Sequence, residues 1–194
     1  MVQVDRRGAS LGTFTRPDLE VLVVFAHQAA LAIENARLHE GLQSTVEKSI
    51  RGIVCALEAK DPYTAGHSEA VGELCRLVAV EAGLDGPEVD NVARAAVLHD
   101  IGKVGSPYDV LNKKGRLTPE EFSLLRSHPE LGVRILEPFG FLSELLPIVL
   151  HHHERWDGRG YPAGLSGEDI PFGARILAVV DTYHSLVSDR AYRS

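Results

Sequence analysis

At 194 residues the chain has room for one medium domain and an appendage, and its 44% apolar content excludes wholesale disorder. A formal net charge of −7 argues against a general nucleic-acid surface, which needs a basic patch to displace counterions, so no DNA or RNA partner is expected. A pocket for a small anion stays compatible with that charge. Aromatics are scarce, and Leu, Val, Ala and Ile supply the apolar content, which favours helices over a β-sandwich.

Taken in chain order, residues 1–16 read as a short strand around Val2 and Val4, a turn and an extended approach, with no signal peptide. Pro17 and Asp18 suit a first helical turn, and Leu22, Phe25, Ala29, Ala32, Ile33 and Ala36 keep helical spacing. The helix can run on through Leu42, Val46, Ile50, Ile53, Val54 and Leu57; before Pro62 only Gly41 threatens it. It serves either as a spacer or as a dimerising signal transmitter. The most apolar stretch, Leu19 to Ile33, is interrupted by Glu20 and His27 and is too short to span a bilayer, so a cytoplasmic protein with no membrane segment is expected.

Further helices are expected from Gly66 to Ala82, from Pro87 to Ile101, from Thr118 (an N-cap before Pro119) to Ser127, and from Pro129 towards Phe139. Two more cover Ser143 to His153 and Gly173 to Ser188, with an irregular loop at 155–170 between them. The expected fold class is all-α. Cys55 and Cys75 read as free thiols facing the helical core in a reducing compartment. Asp109 and Lys113-Lys114 read as a solvated loop, with Lys113 a secondary candidate for phosphate.

Seven of the nine histidines lie between residues 67 and 184. The strongest element is Ala95-Ala96-Val97-Leu98-His99-Asp100-Ile101-Gly102-Lys103, an apolar helix delivering an imidazole and a carboxylate side by side. Nitrogen and oxygen donors together suit Mn, Fe, Co, Ni or Zn, and the aspartate of such a pair can bridge two ions. Adjacent helical residues point about 100° apart, so His151, His152 and His153 cannot all reach one cluster; His151 is the one read as a non-ligand.

This stretch resembles the HD-domain superfamily of metal-dependent phosphohydrolases. The segment His152-His153-Glu154-Arg155-Trp156-Asp157-Gly158-Arg159-Gly160-Tyr161-Pro162 resembles the signature of its HD-GYP branch. Asp61-Pro62-Tyr63-Thr64-Ala65-Gly66-His67-Ser68, His128-Pro129-Glu130-Leu131-Gly132 and Ala178-Val179-Val180-Asp181 are similar to further family motifs, over roughly residues 52–194. The resemblance implies a cluster of two divalent metal ions, iron or manganese, held by His67, His99, Asp100, His128, His152, His153 and Asp181. It implies His99, Asp100 and Lys103 as catalytic residues, with Lys103 on the substrate phosphate. Asp61, Gly160, Tyr161, Pro162, His184, Arg190 and Arg193 are then substrate contacts.

The reaction so implied is hydrolysis of cyclic di-GMP to pGpG, and onward to GMP, by a hydroxide held between the metals. His184 stands where many relatives carry an aspartate, and Tyr63 stands where three-metal relatives carry a glutamate. Trp156 is expected to pack and Asp157 to bond behind the ligands. Two alternatives stay open: a cyclic-dinucleotide-responsive regulatory module with little turnover, and action on another cyclic dinucleotide.

Residues 14–38 resemble the last strand and helix of a GAF sensory domain. The expected organisation is therefore a GAF-like remnant at 1–40, a connecting signalling helix at 41–60 and an HD-GYP domain at 52–194, clipped at its C-terminus. Homodimerisation through the N-terminal helix and signalling-protein partners are the expected associations.

Overall fold

The computed structural model describes residues 14–59, 66–113 and 115–188. The readings at Val2, Val4, Asp61, Tyr63, Lys114, Arg190 and Arg193 lie outside the described residues. Among the described residues the secondary structure is helical, apart from one isolated bridge between Asp157 and Ser166.

Helix α1 covers Arg16–Glu58 and passes through Gly41 without a break. Its start is a reciprocal cap: the Thr15 N–H donates to the Asp18 carboxylate at 2.9 Å, and the Asp18 N–H points back at the Thr15 hydroxyl. The chain divides into two units at Val46/Glu47. In the described part of the first, the α1 side chains are almost all exposed, Leu19, Leu22, Phe25, Leu31 and Leu38 among them. By length and composition this helix is able to cross a membrane, which Leu19 to Ile33 alone is too short to do.

The second unit begins on the last turns of α1, where Ile50, Val54 and Glu58 form a buried stripe at i, i+4, i+8; Ile53 is exposed. It continues through α2 (His67–Glu81), α3 (Gly86–Leu98), α4 (Tyr108–Leu111), α5 (Pro119–Arg126), α6 (His128–Leu136), α7 (Leu146–His151) and α8 (Phe172–Val187). Short 3-10 turns cover Ile101–Gly105, Gly140–Leu145 and Gly167–Asp169. Small side chains let α2 and α3 approach closely: Val71, Cys75 and Ala79 on one meet a core that includes Val92, Ala95 and Ala96 on the other. Leu136, Leu142, Leu145, Val149, Leu177 and Val180 complete that core.

Capping boxes start α3 (Asp85 with Glu88) and α5 (Thr118 with Glu121), each worth about 1 kcal/mol. Several sequence readings need correction. The expected helix from 143 to 153 is a 3-10 turn followed by α7, because Pro147 suits a first turn rather than a helix interior. The expected loop at Asp109 holds the one-turn helix α4, and the Lys113 ammonium is engaged by Glu121 at 2.6 Å. Cys75 is buried as expected, but Cys55 is exposed.

Candidate metal centre

The site starts where α3 stops. His99 is its C-cap and Asp100 leaves the helix at φ −96°, ψ 5°, so the pair projects from an unwinding end between buried Leu98 and Ile101. Gly102 then lets this turn lie directly on α6: a Cβ there would collide with the His128 carbonyl oxygen and the Gly132 nitrogen. The third neighbour is the end of α7, which delivers His152 as its C-cap and His153 just after it. Together α2 and α8 bring His67 and Asp181, with the His67 Nε2 3.2 Å from the Asp181 carboxylate.

Three of the imidazoles are oriented alike. The Nδ1 atoms of His99, His128 and His152 sit 2.6, 2.7 and 2.6 Å from the carbonyl oxygens of Ala96, Leu125 and Val149, each three residues earlier. A carbonyl only accepts, so each Nδ1 carries a proton, and where the ring is neutral its Nε2 presents a lone pair. Those lone pairs converge: the Nε2 atoms of His128 and His152 are 3.3 Å apart. Asp100 lies among them, Oδ2 3.3 Å from the His99 Nε2 and Oδ1 3.4 Å from the His128 Nε2. Asp100 Oδ1 is buried and accepts no hydrogen bond.

Neutral lone pairs and a carboxylate oxygen facing one another at such distances repel, and a cation among them removes the conflict. Burial pushes the His128 ring below its ordinary range, His152 well below it, and His153 down to about 4, so all three are neutral near pH 7. Burial opposes the charged forms of His99 and Asp100 too, but each wins on its partner: Asp100 raises His99, and His99 with Lys103 holds Asp100 well below the usual carboxylate range. Asp181 lies low as well: burial works against its charge, and its bond to His67 outweighs it. Among the described residues three overlapping groups could each hold a metal ion: His67, His99 and Asp181; His128, His152 and His153; and His99, Asp100 and His152. In each, the donor atoms lie within 4.8 Å of one another. The donor set fits divalent transition metals.

The rim carries the other sequence candidates. Lys103 Nζ lies 2.5 Å from Asp100 Oδ2, with a third of its side chain exposed. The Tyr161 ring stacks on His153 with centroids 4.8 Å apart, its N–H donates to the His153 carbonyl at 3.2 Å, and burial pushes its phenol up to about 12. Gly160 is required by crowding, since a Cβ there would run into the backbone of Glu154 and Arg155; Pro162 follows Tyr161 through a cis peptide. His184 Nδ1 is 3.0 Å from His67 Nδ1. His151 turns towards Glu154, 3.5 Å away, and belongs to none of the three groups.

Three contributors were missed in the sequence. Buried Glu58 accepts the Gly66 and Ser68 N–H groups at 3.0 and 2.7 Å, holding the head of α2 around His67. Buried Glu154 accepts the Ala163 and Gly164 N–H groups at 2.7 and 3.1 Å and so ties down the 160–164 loop. The Arg126 guanidinium lies over the Tyr161 ring, 4.5 Å from its centroid. Glu58 had one sequence signal, an acid four residues after Val54 on an apolar stripe. Two expectations are corrected: Trp156 is 64% exposed rather than packed, and Asp157, also exposed, binds Arg155 and the Arg159 N–H within the loop.

An all-α domain with imidazoles and carboxylates converging on a His-Asp pair is a metal-binding scaffold of the HD type. Residues 54–194 match the family model described as HD domain, and the chain belongs to that family, whose phosphodiesterases are metal-dependent. The chain is 44% identical over 139 residues to a cyclic di-GMP phosphodiesterase of Thermotoga maritima, covering 71% of this chain and 38% of that protein. It is 34% identical over 178 residues to the 3'3'-cGAMP-specific phosphodiesterase 2 of Vibrio cholerae, covering 91% and 34%. The chain thus spans about a third of the length of these curated relatives. A solved structure of a V. cholerae cyclic GMP-AMP-specific phosphodiesterase shares the fold at TM-score 0.56 and 16% identity, covering 72% of this chain and 40% of that one. Bd1817, an HDG"Y"P protein of Bdellovibrio bacteriovorus, does so at 0.55 and 24%, covering 63% and 40%.

Proposed function

We propose that residues 52–194 form the catalytic domain of a cyclic-dinucleotide phosphodiesterase that cuts cyclic di-GMP to pGpG and onward to GMP. The observation that carries this reading is Asp100: a carboxylate whose buried Oδ1 lacks any hydrogen bond, set among convergent imidazoles and beside a lysine. In this reading His67, His99 and Asp181 hold one divalent ion, His128, His152 and His153 hold a second, and Asp100 reaches both. Iron or manganese suits that nitrogen and oxygen set. Bound metals supply a nucleophile at neutral pH, by lowering the pKa of water, and neutralise charge on the phosphoryl oxygens.

The protein's own groups do the rest. Lys103 keeps donors beyond its bond to Asp100, and its partly exposed side chain offers them to a phosphoryl oxygen. Tyr161, in its loop with Gly160 and Pro162, lies beside the metal ligands and is proposed with them as a substrate contact, and Asp61, Arg190 and Arg193 are further proposed substrate contacts. The carboxylates of Asp100 and Asp181 stay ionised at neutral pH and so act as ligands rather than proton donors.

Residues 1–40 are proposed as the end of a GAF-like sensory domain and 41–60 as a signalling helix, in a cytoplasmic protein with signalling-protein partners. The exposed apolar side chains along α1 support homodimerisation through that helix. The names of the relatives favour cyclic di-GMP, with 3'3'-cGAMP as the second candidate.

The test is to purify the chain anaerobically with iron or manganese, measure metal per chain, and follow both nucleotides by chromatography. About two metals per chain and accumulation of pGpG are expected. Full metal occupancy with neither nucleotide cleaved would overturn the enzymatic reading in favour of a regulatory module. Cleavage of 3'3'-cGAMP alone would reassign the substrate.

A further inference from the structure

The histidines of the cluster are not all held in the same way. His99, His128 and His152 each close a turn and use the carbonyl three residues back. His67 instead opens α2, after Gly66 at φ 75°. Its Nδ1 meets the Nδ1 of His184 at 3.0 Å, the ring centroids lying 4.9 Å apart. His184 is three residues after Asp181 on α8, so both project from one face of that helix. One α8 face therefore addresses both nitrogens of the His67 ring: Asp181 at Nε2 and His184 at Nδ1.

We propose that His184 is the positioning residue for His67, accepting its Nδ1–H and thereby fixing the tautomer and ring plane that aim Nε2 at the metal. This rests on the metal-centre reading above. It gives the partly buried His184 a role different from the substrate contact suggested by its position in the motif. Ser188 Oγ also lies near that Nδ1, at 3.2 Å, but the single lone pair there goes to the shorter His67 contact. The arrangement supplies from another helix the acceptor that the other three rings take from their own turns, as behind metal-bound histidines generally.

The experiment compares the full chain with His184→Ala and His184→Asn, the latter because Asn Oδ1 stands where His Nδ1 stood and still accepts. Each protein is stripped and titrated with Mn2+, and kcat and KM for cyclic di-GMP are measured at saturating metal. His184→Ala should weaken one of the two metals 10–100-fold and lower kcat with KM nearly unchanged, while His184→Asn should restore most of both. A raised KM with metal affinity intact in His184→Ala would make His184 a substrate contact and overturn the proposal. So would an Asn variant that folds, by circular dichroism, yet binds metal as poorly as Ala. A wild-type chain that binds no Mn2+ would instead overturn the metal-centre reading, and the proposal with it.

Discussion

The two halves of the candidate site reach similar geometry by different means. On one side, His128 and His152 are locked by carbonyls three residues earlier, and Gly102 presses the His99-Asp100 turn against α6. On the other, His67 and Asp181 come from helices distant in sequence and touch only because α8 lies against α2. His67 relies on His184, 117 residues away, and its helix start relies on Glu58. A turn that orients its own ligand survives as long as the turn does. A ligand oriented across the fold depends on tertiary docking, so the His67 half should loosen first under any general stress.

Asp100 is the residue proposed to serve both ions, which makes its removal the most severe test. Asp100→Ala should cost more than about 10³-fold in turnover and should strip metal from both halves together, read by metal analysis after gel filtration. Loss of only one ion would show that the carboxylate serves one half alone.

Acid should act through the imidazoles. In the stripped protein burial lowers His128, His152 and His153, the last to about 4, whereas the unfolded chain takes up protons near 6.5. Between those limits the unfolded state binds more protons, so stability falls as pH drops from about 6.5 towards 4. His99 opposes this: its raised value adds stability at low pH that is lost as pH rises through it. His128, His152 and His153 thus destabilise the fold in acid, His153 alone contributing about 2 kcal/mol between pH 7 and pH 5, with His99 acting against them. Urea unfolding of chelator-treated protein at pH 7 and pH 5 measures it; equal stability at the two values would contradict the burial of these rings as neutral groups.

Glu58 probes the half held across the fold. Glu58→Ala removes the acceptor from two N–H groups at the head of α2 and should cost about 1–3 kcal/mol in urea unfolding. It should also weaken the ion nearest His67 more than the one nearest His128. If both ions weaken equally, the two halves are not independently held.

What the sequence revealed divides along the same line. His99-Asp100 followed by Gly102, and Thr118 before Pro119, were readable because ligand, turn and cap are neighbours in the chain. The HD-GYP motifs named the other ligand candidates, but not who holds them. The pairing of His67 with His184 depends on how α8 docks on α2, which helical periodicity does not encode. Glu58 was passed over because an acid on an apolar stripe looks like a break in the pattern until its two N–H donors are seen. Trp156 was expected to pack because tryptophan usually does; nothing local revealed that its loop points outward.

Arg126 gives the mildest test, because its contact with the site among the described residues is with Tyr161. Its guanidinium lies 4.5 Å from the centroid of the Tyr161 ring, which also stacks on the proposed ligand His153. An exposed cation over an aromatic ring contributes about 0.5–1 kcal/mol. If the ring must be held flat for a base to bind beside it, Arg126→Ala should raise KM for cyclic di-GMP about two- to fivefold, leaving metal content and kcat nearly unchanged. Arg126→Lys should recover only part of this, since an ammonium lacks the planar face that stacks. A fall in metal content instead would mean that the Arg126, Tyr161 and His153 stack positions the ligand rather than the substrate, extending cross-fold support to the half that otherwise orients itself.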